Sequence, residues 1–254
     1  MLIILSPSKA IRKNTDHSCE HFTLPVFLSQ AEQIVNELKK MNTEELRSVL
    51  KTSPKLTYEA QESFQMWNKV HSNENATQSI LAFNGDVYSG MNAGEFSNDT
   101  LLYSNDHLVI LSGLYGALLP LDLIQAYRLD VANPLKIGQK TLYVFWKKNA
   151  TKFINDQIAT SDHQFLVNLA SQEYFSMLDE KAINAKIITP VFKDMVSGRY
   201  KIVSVFAKKA RGRMSRFILD QKITDPEILK TFDEDGYYYD ANTSTSEIFT
   251  FLRG

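Results

Sequence analysis

Seven lysines and arginines and no acidic residue fall within residues 199–216, RYKIVSVFAKKARGRMSR, in a chain whose 28 basic and 29 acidic side chains nearly cancel. Average usage would place only about two basic residues in that stretch. At helical spacing Ala207, Ala210, Met214, Phe217, Ile218 and Gln221 share one face, and Lys208, Lys209, Arg211, Arg213, Ser215 and Arg216 take the other. Packed by its apolar side, such a helix holds five cations outward, and rigidly held guanidinium forks are what phosphate recognition uses. Gly212 within it would let a ligand backbone approach closely. The plainer reading is a solvated basic face, but no acid inside the cluster neutralises the row. Residues 220–247 reverse the sign, with eight acidic residues against Lys222 and Lys230.

A second group of chemistry-bearing residues follows short apolar runs: SPSK (Ser6–Lys9), NGDVYSG (Asn84–Gly90), SGLYG (Ser112–Gly116), NLASQEY (Asn168–Tyr174) and AKKARG (Ala207–Gly212). Each alone is ordinary turn chemistry. Ligands of an open α/β sheet collect outside the carboxyl ends of its strands. If these strands are parallel neighbours, Ser6, Lys9, Asp86, Tyr88, Arg128, Asn168, Ser171 and Glu173 form a candidate cleft, with Lys208 and Arg211 beside them. A small anionic ligand is what that cleft would take. Asp86, Asp122 and Glu173 repel phosphate, so two other readings stay open: an enzyme of unassigned reaction on a phosphate-bearing or nucleotide-like substrate, or carboxylates that pair with the basic row and lock the fold. No nucleophile elbow, Walker loop or dinucleotide fingerprint occurs.

Metal chemistry finds little support. His17, His21, His71, His107 and His163 have no zinc-site spacing. The run HSCEH brings His17, Cys19 and His21 together, and a polar loop explains it better than a soft-metal site does. We therefore expect neither metal nor cofactor. One cysteine in the chain suits a reducing compartment.

The elements that must position these residues alternate in type. MLIIL, SILAF, HLVIL, FLVNLA, AKIITPVF, RYKIVSVF, GYYY and EIFTF read as strands. Helical periodicity covers about residues 26–40, 54–70 and 141–158, the second opened by Pro54. With 44% hydrophobic and 22% charged residues, the chain is an ordinary globular α/β protein rather than a disordered one. No linker or repeat divides it, so residues 1–254 are expected to form one domain with a mixed sheet and surrounding helices. No apolar run is long enough to span a membrane, and the apolar amino terminus lacks a basic lead; a cytoplasmic protein is expected.

SPSK, SILAFNGDVYSG, HLVILSGLYGALLPLDLIQAYRL, LVNLASQEYF, and ITPVF followed by IVSVFAKKARGRMSRFI, with GYYYD near the end, resemble the YaaA family of bacterial peroxide-stress proteins, and the likeness runs end to end. The resemblance implies a cytosolic protein that binds DNA and limits damage by free iron during hydrogen peroxide stress. It implies an α/β fold unlike the common superfolds, with a positively charged cleft and a helix-hairpin-helix element. SGLYG is similar to the glycine hairpin of that element, which would give phosphate contacts to Gly113, Tyr115 and Gly116. Together with Lys208, Lys209, Arg211, Arg213 and Arg216 these form the expected surface for duplex or branched DNA, bound without sequence preference. The chain departs from the family pattern at Asn84 and Leu119, where basic residues are common, and at Ala126, where proline is. The first two remove positive charge from the expected DNA-facing region.

Overall fold

The computed structural model describes residues 1–12 and 20–254. His17 and Cys19 lie outside the described residues. An eight-stranded sheet is built from β1 (Leu2–Leu5), β2 (Leu108–Ser112), β3 (Gly116–Leu118), β4 (Phe165–Asn168), β5 (Lys186–Val196), β6 (Arg199–Lys201), β7 (Tyr238–Tyr239) and β8 (Ile248–Arg253). Its order is β7-β8-β5-β4-β1-β2-β3, with β6 on β5. Five central strands run parallel, from β8 through β5, β4 and β1 to β2, and β3, β6 and β7 pair antiparallel at the margins. β1 and β2 are buried along their whole length, as central parallel strands covered on both faces should be.

The helices are α1 (Leu28–Lys39), α2 (Thr43–Leu50), α3 (Pro54–Met66), α4 (Ser79–Ala82), α5 (Asp86–Met91), α6 (Asn98–His107), α7 (Leu142–Thr160), α8 (Gln172–Phe175) and α9 (Ser204–Asp220). α2 opens with a reciprocal cap between Asn42 and Glu45, and Ser53 caps α3 ahead of Pro54. No helix of the described residues is long and apolar enough to cross a membrane.

Several sequence expectations change here. SILAF is mostly a helical turn, α4, rather than a strand: Ser79–Ala82 are buried and helical, with the Ser79 hydroxyl bonded to the Leu119 carbonyl, and only Phe83 pairs as a strand, in a two-residue ladder with Ala10–Ile11. RYKIVSVF keeps strand geometry only to Lys201, since exposed Val205 and Phe206 already belong to α9. The helix expected to reach residue 70 ends at Met66, because Trp67 turns extended and donates its indole N–H to the Tyr115 hydroxyl at 2.9 Å.

α9 also differs from a one-faced amphipathic helix. It packs against both β5 and α5, so Gly212 and Ser215 are buried along with Ala207, Ala210, Met214 and Ile218, while Phe217 is half-buried and Gln221, expected on the apolar face, is exposed. A Cβ on Gly212 would overlap the Val87 carbonyl oxygen, and one on Gly90 would overlap the Lys209 carbonyl oxygen. The backbone that approaches Gly212 is therefore that of α5, not of a ligand.

Buried polar groups are mostly satisfied. His71 lies between the Lys69 carbonyl and the Tyr115 hydroxyl, at 3.2 and 3.1 Å, with Gln125 alongside. His107 bonds the Met1 carbonyl and stacks on Tyr103. Asp122 is not a surface carboxylate: it accepts from Thr23 and from the Leu119 amide, at 2.7 and 2.8 Å, and ties two loops together.

Two expectations follow. Gly212→Ala should push α5 from α9 and destabilise the fold by about 1–3 kcal/mol, seen as a lower Tm; Gly94→Ala, whose methyl would meet no atom within 4 Å, is the neutral control. The second concerns acid. Burial holds His71 and His107 down to about 4 from an ordinary 6.5, so between those values the unfolded chain binds protons that the folded chain does not, and stability falls with pH. Asp122, raised by burial to about 6 from 3.8, works in the opposite direction over part of that window. Two histidines outweigh one carboxylate, and His71→Asn should narrow the gap between urea unfolding curves at pH 7 and pH 5.

Candidate cleft

β1 lies between β2 and β4, and the chain leaves it toward β2, whereas it leaves β4 toward β5 on the other side. Loops that part from adjacent parallel strands leave a crevice outside their carboxyl ends, where α/β proteins bind ligands. A cavity of about 510 Å³ occupies this position. Ser6 through Lys9 after β1 and Leu169, Ser171, Glu173 and Tyr174 after β4 form part of its wall. The two loops are bonded to each other: the Ser171 amide donates to Ser6 Oγ at 2.8 Å, and Ser6 Oγ donates to Ser171 Oγ at 3.2 Å. Tyr88 locks the Ser6 carbonyl at 2.9 Å.

Asp86 and Tyr88 enter the wall from α5, Arg128 and Asp130 from the segment after β3, and Lys208 and Arg211 from α9. Gly85 turns the chain into α5 with φ +152° and ψ −177°, backbone that a side chain would strain. Lys51 and Thr52, in the hairpin between α2 and α3, complete the rim. Ser6, Lys9, Asp86, Tyr88, Arg128, Ser171 and Glu173 thus share one cavity with Lys208 and Arg211. Asn168 does not reach it; its side chain accepts from the Ala170 amide within the loop after β4. Asp130, Lys51, Tyr127 and Tyr174 were missed in the sequence. Asp130 stands two residues beyond Arg128 and carried no motif of its own.

The electrostatics of the cavity are mixed. Lys9 Nζ lies 2.9 Å from Asp130 Oδ2, and Arg128 donates to the Lys9 carbonyl at 3.3 Å. Burial raises the Asp130 carboxyl, but Lys9, the Tyr174 hydroxyl and Glu173 together outweigh it, so the group titrates below the usual range. Its Oδ1 is buried without a bond of good geometry, so the help of Tyr174 and Glu173 comes from proximity. Glu173 moves the other way, raised by burial and by the Asp130 charge, so a proton held by this pair resides on Glu173. Arg211 is half-buried and its guanidinium has no hydrogen bond or ion pair among the described residues; burial alone lowers its pKa.

The outward cations of α9 are engaged elsewhere. Arg213 bonds Asp235 at 2.8 Å and Glu234 at 3.2 Å, and Lys209 lies 4.0 Å from Asp235. Arg216 bonds Asp220 at 3.0 Å, donates to the Met91 and Asn92 carbonyls at the end of α5, and covers the Phe96 ring. The acidic stretch after α9 folds back onto it, which corrects the expectation of five unpaired cations on an outward face.

The 113–116 turn is corrected as well. It joins β2 to β3 rather than two helices, and all of it is buried. Ser112 Oγ accepts from the Leu114 and Tyr115 amides, the Gly113 carbonyl accepts from Trp146, and Gly116 gives room to the Trp146 ring. Its amides face the core, where no phosphate can reach. A short hairpin between helices does occur at residues 51–53, where Lys51 closes α2 in left-handed geometry before Ser53 caps α3. Of the positions that depart from the family pattern, Asn84 accepts from Arg12 at 3.3 Å, and the Leu119 backbone bonds to Ser79 and Asp122. Among the described residues no three His, Cys, Asp or Glu side chains are grouped as metal ligands.

Comparison with known proteins agrees with this whole-chain pattern. Residues 1–243 match the family model described as peroxide stress protein YaaA. A UPF0246 protein of Pseudoalteromonas translucida (strain TAC 125) is 42% identical over 249 residues, covering 98% of this chain and 96% of that protein. The chain belongs to the peroxide stress protein YaaA family, and its role lies in the response to peroxide stress.

Proposed function

We propose that the protein binds DNA through its phosphate backbone, at the cleft where Arg211, Lys208 and Arg128 converge with the 51–53 hairpin. The observation that carries this reading is Arg211: a half-buried guanidinium without a partner, facing a cavity beside other cations. A desolvated, unpaired charge is unfavourable until an anion meets it. Identical, evenly spaced phosphates give such a surface no means to read bases. A link to iron damage follows from the same physics. Ferrous ions gather on DNA as counterions, and a protein that neutralises phosphates displaces them from the strand.

A second reading is favoured by the Glu173–Asp130–Lys9 group, in which the carboxyl of Glu173 is pushed up while that of Asp130 is held down. An enzyme of unassigned reaction acting on a phosphate-bearing substrate would use these groups for proton transfer.

Salt titration of duplex binding tests the first reading. With three or four cations engaged, log affinity should fall against log salt with a slope of about −3 to −4. Arg211→Gln should weaken binding to all sequences alike and flatten the slope by about one unit. Arg213→Gln and Arg216→Gln should leave the slope unchanged, because those cations are already neutralised within the chain. The opposite pattern, with Arg211 silent and Arg213 dominant, would return the interface to the outward face of α9.

A further inference from the structure

A ligand made only of phosphate does not account for the acids in this cavity. The Asp86 carboxylate lines it and makes no hydrogen bond or ion pair among the described residues. Glu173 lies in the same wall beside another carboxyl, Asp130, which already holds Lys9. Carboxylates among cations lower the affinity for phosphate unless they meet a hydrogen-bond donor on the ligand. Apolar side chains also line it, among them Leu50, Val87, Leu129 and Leu169. At about 510 Å³ the cavity falls within the roughly 300–1,000 Å³ of small-molecule sites and stands at the carboxyl ends of diverging parallel strands.

We propose that the cavity receives one nucleotide unit, with its phosphate on Arg211, Lys208 and Arg128 and the hydrogen-donating groups of its base or sugar on Asp86 and Glu173. This deepens the DNA reading and rests on it for the phosphate side of the pocket. The apolar side chains of the wall give a base or sugar apolar surface to pack against. A free mononucleotide and a nucleotide extruded from a duplex present the same chemistry, and binding experiments separate them.

The test uses the full chain at fixed salt. Calorimetry compares inorganic phosphate, a deoxynucleoside and the four deoxynucleoside 5′-monophosphates. At least one monophosphate should bind ten-fold or more tightly than either phosphate or the nucleoside. Asp86→Asn and Glu173→Gln should each weaken that monophosphate about ten-fold while phosphate binds equally or more tightly, since a negative charge has gone. Thermal melts establish that each variant is folded, and either one alone suffices. A duplex carrying 2-aminopurine in a mismatch identifies the source. A fluorescence rise on saturation, reversed by the free monophosphate, assigns the site to an extruded nucleotide; monophosphate binding without that rise assigns it to a free one. Monophosphates that bind no tighter than phosphate, or carboxylate variants that change both affinities alike, would overturn the proposal. Duplex binding that persists alongside that result leaves the backbone reading intact. Monophosphate binding without any duplex binding removes the backbone reading and keeps the pocket.

Discussion

Where α5 and α9 cross, backbone meets backbone. Gly212 faces the Val87 carbonyl and Gly90 faces the Lys209 carbonyl, so no side chain separates the two helices. The cleft depends on this contact, because α5 brings Asp86 and Tyr88 to it and α9 brings Lys208 and Arg211. The serine bonds between the loops after β1 and β4 fix the opposite wall. Rigid elements on both sides hold the charges of the cavity at set distances, which is what preorganised binding requires. A methyl group on Gly212 would press on the Val87 carbonyl, and Val87 lines the cavity, so the crossing and the cavity are disturbed together.

Charge is divided by the fold in a way that net charge conceals. The acids following α9 return to Arg213, Arg216 and Lys209, and these exposed pairs add little stability individually. Their larger effect is on the electrostatic field. They set an acidic partner against each of these outer cations, whereas Arg211 and Lys208, which line the cavity, have none among the described residues. On the cavity side the cations are unevenly committed, with Lys9 bound to Asp130 and Arg211 unbound.

Buried polar residues show the same economy. Asp122, His71 and Tyr115 are weighed for chemistry in the sequence, yet each, with Gln125 beside the last two, is engaged in holding loops against the core. The glycine turn at 113–116 belongs with them. Its hydrogen bonds are satisfied by Ser112 and Trp146, so its resemblance to a phosphate loop lies in composition rather than in surface.

The sequence by itself determined the parts governed by local interactions. Apolar runs such as LIIL and LVILS form buried strands, Ser53–Pro54 starts a helix, and a chain-long set of motifs identifies the family. It also determined which residues follow the strands, and Ser6, Lys9 and Glu173 do meet at one cavity because adjacent parallel strands present their ends together, whereas Arg211 arrives there on α9. Tertiary structure alone decided the rest. Contacts with distant segments made most of SILAF a helical turn and left only Phe83 in a strand pair. Ion pairs between α9 and residues some twenty positions later decided which cations remain available, a relation no local window contains. Asp130 acquired its role only through proximity to Lys9, 121 positions earlier in the chain, and to Glu173 after another strand. Periodicity and turn chemistry act over a few residues, whereas charge pairing and cavity formation depend on which distant segments the sheet brings together.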